Sequence, residues 1–230
     1  MRFEELKPED YMRARDAAPV AYIPWGAHEW HGRHNALGLD TLKALGQCLE
    51  LCAVTGGVVF PPVYCGTNTM KENGPWQGTL EFSRECVRML ALEHMRQIAA
   101  EGFRVIVILM GHYGGEHVRV ITEAVRQFNE EQDSCVAWAV PDHELTAQDG
   151  FPGEHAALCE TSYLMYFRPE LVDLTRLPAE GELVWEEQGI HGEDPRAASR
   201  AHGREGVQAL VRNAAPRVLE LLRQKTTGSG

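Results

Sequence analysis

Three short stretches of the chain concentrate side chains that can bind cations or move protons. The first runs from His28-Glu29-Trp30-His31 through Gly32-Arg33-His34 to Leu37-Gly38-Leu39-Asp40-Thr41. Glu29 and His31 are two residues apart, so an extended backbone turns both to one side. A carboxylate and an imidazole held together are ordinary ligands for first-row divalent metals. His28 and His34 are close by, and spacing alone does not single out His31. Asp40 has a simpler competing role as a helix N-cap, accepting a bond from a free backbone N–H.

The second stretch is Gly111-His112-Tyr113-Gly114-Gly115, directly after the apolar run 105–110. His112 is equally well a solvated side chain in a strand-to-helix turn or a ligand at the carboxyl edge of a sheet. The third is Gly153-Glu154-His155-Ala156-Ala157-Leu158-Cys159-Glu160-Thr161-Ser162. In the first turn of a helix, Glu160 would be favoured by the helix dipole without any further task. Each stretch is weak evidence alone. Together they put Glu, His, Asp, His and Glu after separate strands, where sheet topology can gather them along one edge. Two cations in such a site typically lie ~3.5–4 Å apart and share a carboxylate and a water.

The elements that must position these residues alternate in type. Residues 19–24 and 58–63 read as strands, and the continuous apolar run 105–110 as a central strand covered on both faces. Residues 134–140 read as another strand. Helices are expected over 40–53, ended by Gly56-Gly57, and over 83–100, where Val87, Leu90, Met95 and Ile98 recur at helical spacing. Further helices are expected over 116–129 and 160–167, with a long or broken one over 195–225. This alternation predicts an α/β fold with a mostly parallel sheet and helices on both sides. Ligands then bind beyond the carboxyl ends of the strands. The polar, Gly-rich loop 66–78 is of the length that is often functional in a compact domain.

The bulk numbers narrow the function. The chain has 230 residues, which suits a single domain over 1–230. Its formal net charge of −11 repels phosphate backbones and argues against nucleic acid as a partner. No apolar run reaches the ~18 residues of a membrane span, and the charged opening residues do not read as a secretory signal, so a cytoplasmic protein is expected. Cys48, Cys52, Cys65, Cys86, Cys135 and Cys159 form no C-x-x-C pair, and they read as small buried apolar residues rather than a thiolate zinc site. No G-x-G-x-x-G or P-loop follows any strand, which disfavours a nucleotide-binding domain.

The sequence resembles the creatininase (creatinine amidohydrolase) family. The resemblance is carried by Pro24-Trp25-Gly26, Glu29-Trp30-His31-Gly32, Leu37-Gly38-Leu39-Asp40-Thr41, Gly111-His112-Tyr113-Gly114-Gly115, and His155-Ala156-Ala157-Leu158-Cys159-Glu160-Thr161-Ser162. Gly189-Ile190-His191-Gly192-Glu193-Asp194-Pro195 is a looser match. The matches keep their order over nearly the whole chain.

The resemblance implies a three-layer α/β/α sandwich and a site for two divalent cations, with Zn, Mn and Fe all compatible. It implies one cation on Glu29, Asp40 and His112, and a second on His31 and the bridging Asp40. Creatininase proper has a further glutamate ligand two residues after the second-stretch histidine. That position is Gly114 here, Glu160 is the candidate replacement, and Glu116 is the alternative. The expected chemistry is hydrolysis of a C–N bond in a small cyclic amide or formamide, by attack of a metal-bridging hydroxide. His155, with Glu154 beside it, is the candidate for proton transfer or for orienting a ligand. Tyr113 and Trp76 are expected to shape the substrate pocket, although Trp76 also suits a plain loop anchor. Cleavage of a precursor peptide, or a non-catalytic metal-binding subunit of a larger assembly, are the competing functions. The family resemblance further implies a homo-oligomer, with a hexamer as one form.

Overall fold

The computed structural model describes residues 1–227, so Gly228-Ser229-Gly230 lies outside the described residues. Runs of apolar, largely β-branched residues build its sheet: β1 (Val20–Trp25), β2 (Val58–Val59), β3 (Val105–Met110) and β4 (Val136–Pro141). The strand order is β2-β1-β3-β4 and every pairing is parallel. β1 and β3 run in register from Val20 against Val105 to Trp25 against Met110. Their carboxyl ends therefore stop at the same level, and the loops that follow open side by side.

Both central strands are buried along their whole length, as expected for a parallel sheet between two helical layers. Ile106, Ile108 and Met110 join one core with residues of α1 (Pro8–Ala17), α3 (Arg84–Ala100) and α4 (Gly115–Glu131). Val105, Val107 and Leu109 join a second core with α2 (Leu39–Thr55) and α7 (Arg200–Thr227). The three-layer α/β/α arrangement follows directly from that alternation. Cys48 and Cys52 sit in the second core, and all six cysteines are unpaired. α5 (Leu158–Phe167) and the short α6 (Trp185–Gln188) complete the helices.

Three segments differ from the sequence reading. The strand expected over 58–63 ends at Val59, because Pro61 and Pro62 have no N–H to give a ladder. Contact with β1 resumes only at a bridge between Trp25 and Val63. α1 is an additional helix, with Pro8 in its first turn and Glu9 and Asp10 favouring its positive end. The last helix starts at Arg200, after a separate 3-10 turn over Pro195–Ala197. Among the described residues no helix is long and apolar enough to cross a membrane.

Candidate metal centre

Two glycines allow α2 to press its first turn against the carboxyl ends of β1 and β3. A Cβ on Gly26 would collide with the Thr41 amide, and one on Gly111 with the Asp40 carbonyl. That close approach brings Asp40 between the two loops that carry the histidines. Asp40 is not the N-cap that its sequence position allows. The cap position is Gly38, and Asp40 is the second residue of the helix. Its carboxylate is buried, with Oδ1 2.8 Å from His31 Nε2 and Oδ2 3.3 Å from His112 Nδ1.

Each imidazole is aimed by its other nitrogen. His31 Nδ1 lies 3.1 Å from the Glu29 carbonyl, and His112 Nε2 lies 3.1 Å from the Thr67 carbonyl. If each of these nitrogens donates its proton there, the lone pairs of His31 Nε2 and His112 Nδ1 point inward, as metal-binding histidines require. Glu29 Oε1 accepts the Met70 N–H at 2.5 Å, leaving Oε2 3.1 Å from His112 Nδ1.

Glu160, the third residue of α5, enters from the opposite side. Its Oε1 accepts from Lys43 Nζ at 2.7 Å and from the Tyr113 hydroxyl at 2.6 Å. Its Oε2 accepts the Ala156 N–H at 2.8 Å and lies 3.6 Å from His31 Nε2.

Donor atoms of Glu29, Asp40 and His112 all lie within 4.8 Å of one another, as do those of His31, Asp40 and Glu160. Asp40 belongs to both groups. A third such group is Glu29, His31 and His155. The set of imidazole nitrogens and carboxylate oxygens suits zinc or manganese. His31 Nε2 and Asp40 Oδ2 are buried, and despite their close neighbours neither makes a hydrogen bond of proper geometry, a need that cations in the two groups would meet.

The electrostatics fit as well. Burial alone would keep His31 neutral, but Asp40 beside it lifts the imidazole to about 9. Burial likewise opposes charge on His112, and Glu29 and Asp40 raise it well above the ordinary histidine value. Without a cation, protons on these rings balance the buried carboxylates.

The other candidates fall into place around this centre. His155 stacks on His31 with ring centroids 4.3 Å apart, and its Nε2 lies 2.8 Å from the Trp30 carbonyl. Burial, reinforced by the neighbouring His31, lowers its pKa, so it stands as a neutral imidazole at the edge of the site. Glu154 does not turn to that ring. Its Oε1 accepts the amides of Cys159 and Glu160 and so holds the start of α5, and burial raises its carboxyl to about 7. Glu116 is no replacement ligand, because it pairs on the surface with Arg84 and Arg119. His28 stacks on Tyr64, and His34 faces the Thr161 hydroxyl at 3.1 Å.

A cleft of about 460 Å³ opens over the site, lined by Tyr113, His143, Glu154, His155, Trp185 and His191. Tyr113 stands at its wall. Trp76 takes the loop-anchor place: it is buried against Trp30, with ring centroids 5.6 Å apart. Trp185 is the aromatic residue at the cleft. The loosely matched segment 189–195 reaches the site through paired backbone bonds between His155 and His191. Two roomier clefts, about 550 and about 620 Å³, are lined largely by apolar residues such as Phe60 and Leu219 and contain none of the donor groups. Volume therefore does not locate the chemistry here.

Sequence reasoning missed Lys43, Gln47 and Asp142. Lys43 is fully buried, and its Nζ lies 2.7 Å from Glu160 and 3.2 Å from Asp142. Gln47 donates to Asp142 at 3.0 Å. A signal was present: Asp40, Lys43 and Gln47 recur at i, i+3 and i+7, a polar stripe on an otherwise apolar helix.

Comparison with known proteins gives a consistent result. The family description "Creatininase: Creatinine amidohydrolase" matches residues 4–218. The chain is similar to the creatinine amidohydrolase of Pseudomonas putida, at 30% identity over 193 residues, covering 75% of this chain and 74% of that protein. It is also similar to the mycofactocin precursor peptide peptidase of Mycolicibacterium smegmatis, at 27% identity over 221 residues, covering 87% and 84%. A crystal structure of creatinine amidohydrolase (creatininase) shares the fold with a TM-score of 0.79 at 22% identity, covering 94% and 96% of the two chains. Creatininase structures of similar fit include a variant described as Zn-Zn type, with a TM-score of 0.77, and a manganese form, with 0.78.

Proposed function

The chain belongs to the creatininase family of hydrolases, which act on amide bonds other than ordinary peptide bonds, and from that premise we propose that it opens a C–N bond in a small cyclic amide or formamide. In this reading two divalent cations are held, one by Glu29, Asp40 and His112 and one by His31, Asp40 and Glu160. The observation that carries it is the position of Asp40, whose two carboxylate oxygens face two separate imidazoles at 2.8 and 3.3 Å. A carboxylate in that place would serve two cations at once, the arrangement two-metal hydrolases use. Zinc, manganese and iron all suit the donors.

When bound, the cations polarise the scissile carbonyl and supply a nucleophilic water near neutral pH. The rest belongs to the protein. His31 and His112 keep fixed ring orientations through the Glu29 and Thr67 carbonyls. Tyr113 faces the cleft with its hydroxyl held by Lys43 and Glu160. His155 is neutral, adjacent to the centre and open to the cleft, so its imidazole carries the proton to the leaving nitrogen. Glu154 supports that step indirectly, by fixing the start of α5 from which Glu160 projects.

A second reading, cleavage near the end of a precursor peptide, is favoured by the longer alignment to the mycofactocin precursor peptide peptidase, 87% of this chain against 75%. The deciding experiment loads the protein with zinc or manganese and measures turnover on formamides, small cyclic amides and short peptides. Saturable turnover of a small amide, lost in His155→Ala with both cations retained, is the expected result. Two bound cations without turnover of anything in the panel would favour the non-catalytic subunit instead. We further propose a homo-oligomer, for which light scattering must give a mass well above the 25.7 kDa of one chain. The unpaired thiols suit a reducing compartment such as the cytoplasm.

A further inference from the structure

Glu81 lies outside every motif that pointed to the site, and no donor group includes it. Even so, its carboxylate accepts four hydrogen bonds from three consecutive residues of the loop after β2. Oε1 takes the Thr67 hydroxyl at 3.0 Å and the Asn68 amide at 2.6 Å. Oε2 takes the Thr69 amide at 2.8 Å and the Thr69 hydroxyl at 2.5 Å. Asn68 at the centre of this clamp has φ +58°, a left-handed conformation that asparagine tolerates better than most residues and that needs outside support.

The clamped residues are the ones that aim one half of the metal centre. The Thr67 carbonyl is the partner of His112 Nε2 at 3.1 Å. The Thr67 amide donates to His117 Nδ1 at 3.4 Å, and the His117 ring lies 4.8 Å from that of His112. One residue beyond the clamp, the Met70 amide holds Glu29 Oε1 at 2.5 Å. The same loop therefore fixes both His112 and Glu29. Among the described residues it makes no hydrogen bond to the His31 or Glu160 side chains, which are held by the Glu29 carbonyl, Lys43, Tyr113 and the Ala156 amide.

We infer that Glu81 is a positioning residue for one cation only, acting through the Thr67–Met70 loop to orient His112 and Glu29. The inference rests on the two-cation reading given above. Removing the carboxylate frees the loop, and His112 Nε2 loses its fixed acceptor. The imidazole proton can then move to Nδ1, the nitrogen that must be bare to bind metal. The His31–Asp40–Glu160 group keeps its own supports.

The test is a zinc titration of wild type, Glu81→Ala and Glu81→Gln, with calorimetry resolving the two binding steps and visible absorption of the cobalt(II)-loaded forms as a second readout. Wild type should bind two ions. Glu81→Ala should weaken one step by about 10- to 100-fold, the usual cost of losing a group that orients a ligand, and leave the other unchanged. The cobalt spectrum should lose the contribution of one ion. Glu81→Gln, which keeps one acceptor oxygen, should fall between the two. Should Glu81→Ala prove unstable, Glu81→Gln carries the test alone with the same one-step effect. Unchanged affinities, or equal weakening of both steps, would overturn the inference while leaving the two-cation reading in place. A wild type that takes up no metal would remove that reading and the inference together.

Discussion

Lys43 and Glu160 form a wholly buried ion pair, with Nζ 2.7 Å from Oε1 at the inner wall of the metal centre. Burial by itself would strip the proton from Lys43, but Asp142, Glu160 and Asp40 hold it as an ammonium. Burial opposes ionisation of Glu160 too, and Lys43 and His31 keep its carboxyl below the ordinary value. The pair leaves Glu160 Oε2, rather than Oε1, turned toward His31.

Lys43→Met should therefore be costly. It leaves Asp142 and Glu160 buried without their cation, a loss of about 3–5 kcal/mol for a broken buried pair. Denaturant unfolding of the metal-free protein measures it. Adding Asp142→Asn to Lys43→Met should recover part of the loss, because the two residues share one network. A Lys43→Met protein as stable as wild type would show that the ammonium is dispensable.

Asp40→Ala should lose both cations, because it removes an oxygen from each donor group. Glu116→Ala should keep both. Glu116 lies on the surface with Arg84 and Arg119, where solvent screens such pairs. Elemental analysis after dialysis compares them, and equal metal content in the two variants would reverse the assignment.

How much of this was legible in advance depended on whether the signal was local. The β3 run 105–110 and the α3 spacing over 83–100 are periodic within a few residues, and both elements form where expected, with Ser83 capping α3 through the Cys86 amide. Glu29, His31, Asp40, His112 and Glu160 were readable as a group because each follows a strand or opens a helix. Lys43 and Asp142 were not, since their partnership spans almost 100 positions and only the sheet brings them together. The two roles open to Trp76 in the sequence stay undecided there for the same reason: whether a loop aromatic lines a cleft or anchors its own loop is set by Trp30, more than 40 residues away.

His34 gives a pH prediction. Burial brings its imidazole down to about 4 in the folded protein, against an ordinary value of 6.5. Between those values the unfolded chain takes up a proton that the folded chain refuses. The stabilising effect of the neutral ring is thus complete above about pH 6.5 and lost as pH falls through about 4. Its size is on the order of 3 kcal/mol. His34→Gln should flatten the stability–pH curve in that window relative to wild type. Parallel curves for the two proteins from pH 7 to 4 would contradict the assignment.

Creatinine should be a poor substrate. The family resemblance implies a glutamate ligand for the second cation two residues after the glycine-histidine pair, and that position is Gly114 here. The glycine is not a simple deletion of a ligand, because a Cβ there would collide with the Asn68 carbonyl. The clamped loop fills the space from which that carboxylate would reach in. On the proposed reading Glu160 would supply the oxygen from α5 instead, where its carboxylate is tied to Lys43 and to the Tyr113 hydroxyl at the cleft wall. In the two-cation reading the second cation would then be held from a different side, and a substrate entering the cleft would meet Tyr113 and Trp185. Displacement of reacting groups by even about 1 Å can cost ~100-fold in rate. Steady-state kinetics of the metal-loaded protein on creatinine, formamides and small cyclic amides should give creatinine a kcat/KM well below that of the preferred compound. Creatinine turnover exceeding every other compound would show that moving the carboxylate from position 114 to Glu160 leaves the substrate's geometry unchanged.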